Sequence, residues 1–205
     1  MYFLNILNIS RTFKLCVIGG SSGLGRELIF QSLEKDTSIL ALTSNPDAIK
    51  VPYRGGGLSE KKCGDFISNK NLIIDYYSNF VKYNFTNIIF TTNAPPFKID
   101  YSDILTQTIL SNKLDNLKNI ILISAYGAGD TINDANMGFK IMNNWYLKDV
   151  YRAKNRQESL INDYCEKYNI KSVILRPKVL SYGPNLYSAK SRQTFAEEIL
   201  SSYLL

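Results

Sequence analysis

Residues 19–25 read GGSSGLG, with glycines at positions 19, 20, 23 and 25 and two hydroxyls at 21 and 22. An apolar run at 14–18 (KLCVI) leads straight into this turn, and residues 24–35 follow with Leu24, Leu28, Ile29 and Leu33 at helical spacing. Strand, glycine turn and helix in that order is the context in which such glycines bind phosphate. Gly19 permits the tight turn out of the strand, Gly23 lets the backbone approach a pyrophosphate, and Gly25 lets the helix pack on the sheet. The unpaired amides at the helix start, around Leu24, then face anionic oxygens, with Ser21 and Ser22 as further donors. No Gly-Lys-Ser/Thr follows the turn, so the lysine and hydroxyl of nucleoside triphosphate chemistry are missing.

The next strand, 38–43 (SILALT), distinguishes two dinucleotides. A carboxylate near its end suits the ribose hydroxyls of NAD, and basic or hydroxyl groups suit the 2'-phosphate of NADP. Here Thr43 is followed by Ser44, Asn45 and Pro46, with no carboxylate before Asp47, and Arg26 on the first helix turn reaches for the same corner. That favours NADP, with NAD still possible. Further along, Thr92, Asn93 and Ala94 leave a fourth strand and line the adenine-ribose or nicotinamide side of the cofactor, or else form an ordinary strand exit. Ser124 and Tyr126 end a fifth strand and either orient a carbonyl or satisfy loop backbone. The chain has no histidine, so any acid or base is Tyr, Lys, Asp, Glu or Cys, and the usual histidine triads and histidine-ligated metal sites are excluded.

These residues need a framework, and the chain supplies one by alternating short apolar runs with amphipathic stretches. Strands are expected at 14–18, 38–43, 71–76, 87–92, 119–124 and 172–175, and helices at 24–35, 101–117, 148–168 and 193–204. Such alternation implies parallel strands joined by crossover helices, a Rossmann-like doubly wound α/β domain over residues 1–205 with an extension at 1–13. Residues 45–70 are too long for a plain loop and are expected to hold a short helix or hairpin.

The net charge of +6 arises mainly in the last third: residues 140–205 carry 11 Lys/Arg against 6 Asp/Glu. A basic face beside a cofactor cleft attracts phosphate. The absence of zinc-finger spacing, an aromatic RNA-binding strand or a dense basic helix argues against nucleic acid. Cys16 and Cys165 fall in apolar patterns and read as buried thiols, and Cys63 completes an odd set without CxxC spacing. No apolar stretch approaches the roughly 20 residues of a membrane helix, and the start lacks a leader's basic residues, so a cytoplasmic location is expected.

In order along the chain, GGSSGLG (19–25), TNA (92–94), SAYGAGD (124–130), KNRQE (154–158), LRPKVL (175–180) and SRQTFA (191–196) resemble the atypical branch of the short-chain dehydrogenase/reductase superfamily, including NmrA-like proteins and the flavin and biliverdin reductase type. The resemblance implies an NAD(P)-binding Rossmann fold, an oxidoreductase or a non-catalytic dinucleotide-binding regulator, and either a small-molecule substrate or a regulatory protein partner. It carries Ser124 onto the superfamily's catalytic serine and Lys154 onto the lysine that holds the nicotinamide ribose. The tyrosine that donates the proton belongs four residues before that lysine, where this chain has Val150. Tyr151 is one residue late, about 100° around a helix, and Tyr126 is an alternative phenol. Lys154 and Glu158, four apart, also fit a surface ion pair.

Overall fold

The four inner strands of the main sheet are apolar runs buried on both faces, which is what parallel strands covered by helices require, and the two edge strands are half-buried. The structure, a computed structural model, describes residues 11–55, 57, 64–66, 69–92, 101–134, 137, 140, 145, 147–183 and 189–204. Its strands are β1 (Thr12–Phe13), β2 (Leu15–Ile18), β3 (Ile39–Thr43), β4 (Leu72–Tyr76), β5 (Asn84–Phe85), β6 (Asn87–Phe90), β7 (Asn119–Ile123), β8 (Lys171–Leu175), β9 (Val179–Ser181) and β10 (Ala189–Ser191). Its helices are α1 (Gly23–Glu34), α2 (Ser102–Leu110), α3 (Lys148–Tyr168) and α4 (Arg192–Tyr203). Six strands form one parallel sheet in the order β4-β3-β2-β6-β7-β8. The order reverses between β2 and β6, so the crevice for a ligand opens where the two loops diverge.

Alternate residues of each strand serve opposite cores. Leu15 and Val17 pack with Leu24, Leu28 and Ile29 of α1 and with Phe195, Ala196 and Ile199 of α4. Cys16 and Ile18 pack on the other face with Ile109 of α2 and with Ile161, Tyr164 and Cys165 of α3. Cys16 and Cys165 are thus buried free thiols, as expected; Cys63 lies outside the described residues.

The Rossmann-like doubly wound reading holds, and α3 spans the expected residues. The helix expected over 101–117 ends at Leu110. Ser111 Oγ and Asn112 Nδ2 both donate back to Thr108 O, at 2.8 and 3.1 Å, and compete with helix continuation. Leu114 and Leu117 still reach the core from the turn beyond. Within 45–70 the structure places a 3-10 turn at Pro46–Ala48. In the N-terminal extension, Thr12–Phe13 pairs in parallel with Asn84–Phe85, while residues 1–10 lie outside the described set. The β9–β10 pair, absent from the sequence reading, is three residues long on each side and delivers Ser191, the N-cap of α4.

Candidate functional site

At the carboxyl end of β2 the chain makes its glycine turn. Gly19 has φ +89°, and a Cβ there would lie 2.8 Å from Thr91 Oγ1 and 3.0 Å from Thr92 N. A Cβ on Gly25 would lie 2.5 Å from Gly19 O. Turn, helix and the end of β6 therefore meet with no room for side chains. Ser22 is the N-cap of α1: its Oγ accepts from Gly25 N at 2.9 Å and donates to Thr91 Oγ1 at 3.0 Å. That hydroxyl serves the turn itself. Ser21 Oγ accepts from Thr43 Oγ1 at 3.1 Å, which leaves its own proton to point elsewhere. The amides of Gly23 and Leu24, in the first turn of α1, have no intrahelical acceptor and carry the positive end of the helix dipole.

The corner beyond β3 gathers the residues read as dinucleotide-selective. Ser44 and Asn45 are exposed, and the buried Arg26 side chain extends from α1 to donate to Ala48 O at 2.9 Å. Among the described residues, Thr92 Oγ1 is buried without a hydrogen-bond partner at the end of β6. Asn93 and Ala94 lie outside the described residues.

A cavity of about 240 Å³ lies between the glycine turn and the end of β7, lined by Ser22, Gly23, Leu24, Thr91, Ser124 and Pro177, with Lys178 and Arg192 also contributing. Of the four residues read as catalytic, Ser124 alone lines it. Tyr151 is buried and its hydroxyl donates to Tyr126 O at 2.7 Å; burial pushes its phenol above the ordinary pKa. It lines a separate surface hollow with Gly127 and Asn155. Tyr126 donates its hydroxyl to Asp134 O at 3.1 Å and carries Lys178 Nζ 5.3 Å from its ring centroid. Lys154 is 1% exposed, and its ammonium donates to Thr92 O at 2.6 Å and to Gln157 Oε1 at 3.2 Å. It ties α3 to the end of β6.

The surface pair between Lys154 and Glu158 does not form. Both are buried, and Glu158 instead takes Arg176 Nε on Oε1 at 3.0 Å and Arg176 Nη2 on Oε2 at 2.6 Å. This bidentate bond holds the guanidinium more firmly protonated than usual. Ser124 Oγ completes the group by donating to Glu158 Oε1 at 2.5 Å. Gly129, at φ +52°, covers it: a Cβ there would lie 2.7 Å from Arg176 Nη2 and 2.8 Å from Glu158 Oε2. The sequence reading missed the pair. Its only trace was an arginine directly after β8, where a strand end points at the site.

The site fits a dinucleotide by its own geometry: a turn packed too closely at Gly19 and Gly25 for a Cβ, two helix-start amides without intrahelical acceptors and a buried hydroxyl without a partner, all at the carboxyl ends of parallel strands. Fold and turn together define the class as a Rossmann-like, doubly wound α/β protein. Solved structures share this fold. The anaerobillin reductase ChuY from Escherichia coli O157:H7 matches with a TM-score of 0.61 at 14% identity over 94% of this chain and 91% of its own. The oxidoreductase ylbE from Lactococcus lactis matches at 0.62 and 15%, over 93% of this chain and 84% of its own. A UDP-N-acetylglucosamine 4-epimerase from Bacillus cereus matches at 0.58 and 16%, over 91% and 71%. At these identities the likeness is one of fold. No family model and no curated protein matches the sequence.

Proposed function

We propose that the protein is an NAD(P)H-dependent reductase of a small conjugated or carbonyl acceptor, with NADPH the preferred dinucleotide. The observation that carries this reading is the cavity in which Ser22, Gly23 and Leu24 of the glycine turn share one space with Ser124. Phosphate seat and acceptor seat are then adjacent at the strand ends, where open parallel sheets bind ligands. Bound nicotinamide supplies a hydride. The amides of Gly23 and Leu24 hold the pyrophosphate, and Arg26, Ser44 and Asn45 receive the 2'-phosphate. Thr92 gives its buried hydroxyl a partner on the ribose side.

Tyr126 and Tyr151 do not line the cavity, and the Tyr182 phenol, stacked under Arg192, rests against Gly23 at its edge. The acceptor best served is therefore a conjugated one, whose proton comes from water at the mouth of the site. One observation favours a second reading, a dinucleotide-binding regulator without turnover: Tyr151 and Lys154, the residues nearest to a proton relay in sequence, are both bonded to backbone carbonyls. NADPH oxidation measured against quinone, flavin and aldehyde panels separates the two. Turnover with the conjugated acceptors, reduced at least tenfold in Ser124→Ala, is the expected result. Tight NADPH binding with no turnover across all three panels overturns the reductase and leaves the regulator.

A further inference from the structure

Ser124 lines the cavity, yet its proton is already committed. Its Oγ lies 2.5 Å from Glu158 Oε1, and both side chains are buried. Glu158 also receives two N–H bonds from Arg176, one on each oxygen. A carboxylate held in this way only accepts, so the proton between Ser124 and Glu158 comes from the serine. The Ser124 amide is engaged too, donating to Leu175 O at 2.8 Å. What Ser124 shows the cavity is the remaining lone-pair side of its oxygen. The arrangement has little freedom to reverse, because Gly129 closes directly over the Glu158–Arg176 pair.

We infer that Glu158 is a positioning residue that fixes Ser124 as a hydrogen-bond acceptor toward the cavity, so that the ligand there presents an N–H or O–H group. A carbonyl oxygen facing Ser124 meets lone pairs and is disfavoured. The ligand class is one that turns an N–H or O–H donor toward Ser124. Lys178 and Arg192 on the cavity wall add a preference for an anionic substituent. This inference rests on the proposed function only in taking the cavity beside the glycine turn as the acceptor's seat.

Two nearly isosteric probes test it: pyrrole-2-carboxylate, which carries the N–H, and furan-2-carboxylate, which puts an oxygen in its place. Each is titrated into the full chain saturated with NADP and followed by protein-observed NMR. The pyrrole is expected to bind about fivefold more tightly or better, the worth of one hydrogen bond plus a relieved lone-pair contact. In Glu158→Gln the new NH2 meets an Arg176 N–H in either orientation, so the pair loosens, the serine proton is no longer committed to residue 158, and the preference is expected to shrink or vanish; a preference of unchanged size overturns the positioning role. Ser124→Ala keeps the fold without any new charge and is expected to bind the two probes equally. A wild-type preference for furan, no difference between the probes, no binding of the pyrrole, or a pyrrole preference that survives in Ser124→Ala overturns the inference. If the wild-type chain binds no dinucleotide, the proposed function fails instead. The same titration on the dinucleotide-free chain then decides the inference separately, with the same preference expected.

Discussion

The guanidinium of Arg192 lies on the ring of Tyr182, 3.9 Å from its centroid, and both side chains rest against Gly23. Tyr182 is fixed from its own backbone by the bond from its amide to Gly57 O at 2.7 Å, and its ring meets that of Tyr53 at 6.2 Å. The loops after β3 and β9 thus join above the turn. A Cβ on Gly23 would lie 2.8 Å from the Tyr182 ring and hydroxyl and 2.9 Å from Arg192 Nε. These are ends of long side chains, so Gly23→Ala is expected to fold with a loss of about 1 kcal/mol, at the low end of overpacking costs. The displaced stack moves into the phosphate seat, and the Kd for NADPH should rise about tenfold. Calorimetric titration beside a urea melt checks both; unchanged affinity means the stack moves away from the seat.

Selection of the 2'-phosphate is expected to reside in Arg26. Its side chain spans from α1 to Ala48 O at the corner occupied by Ser44 and Asn45. Arg26→Ala should weaken NADPH about tenfold through loss of one charge-assisted contact. NADH affinity should stay within about twofold. Equal losses for both dinucleotides would show that Arg26 supports the loop and reads no phosphate.

The sheet was readable from sequence because each strand is built on a short apolar run and each crossover helix has its own period. The glycine turn was readable because its strand and helix flank it directly. The Glu158–Arg176 pair was not, since the two residues are 18 apart and sit on different elements that meet only in the fold. Lys154 and Glu158 have the spacing of a surface pair, and that spacing says nothing about which helix face is buried. Burial sends Lys154 to the carbonyl of Thr92 and Glu158 to Ser124 and Arg176. Similarly, the end of α2 depended on Ser111 and Asn112 bonding back to one carbonyl, a local choice that hydrophobic spacing does not record.

Tyr151, the phenol nearest in sequence to a proton relay, tests whether that relay operates. Its hydroxyl bonds the carbonyl of Tyr126, 2.7 Å away. Tyr151→Phe should cost about 1 kcal/mol in a denaturant melt, the net worth of a buried hydrogen bond. Reduction of a conjugated acceptor by NADPH should proceed within about twofold of the wild-type rate, because the reacting groups are elsewhere. A kcat lowered a hundredfold at unchanged KM would instead identify Tyr151 as the proton donor.

Alkaline stability follows from the buried acids. Burial raises the Cys165 thiol from an ordinary value of 9.0 to about 11, and the Tyr77 phenol from 10.0 to about 12; Cys16 is raised as well. Each group is neutral when protonated, so the folded chain keeps its protons at pH values where the unfolded chain has begun to release them. The unfolded state then binds fewer protons, and stability must fall as pH rises. The contribution of Cys165 is complete below pH 9 and is lost progressively as pH rises toward 11; Tyr77 extends the decline from 10 toward 12. Urea midpoints taken from pH 7 to 11.5 under reducing conditions should be level with respect to these groups up to about pH 8.5 and then descend. Cys165→Ala lowers the whole curve by leaving a small cavity in the core, and it should also make the descent between pH 9 and 11 shallower. A parallel descent in that variant would assign the slope to Cys16 and the phenols, and would mean that the Cys165 thiol ionises in the native state as readily as in the unfolded chain.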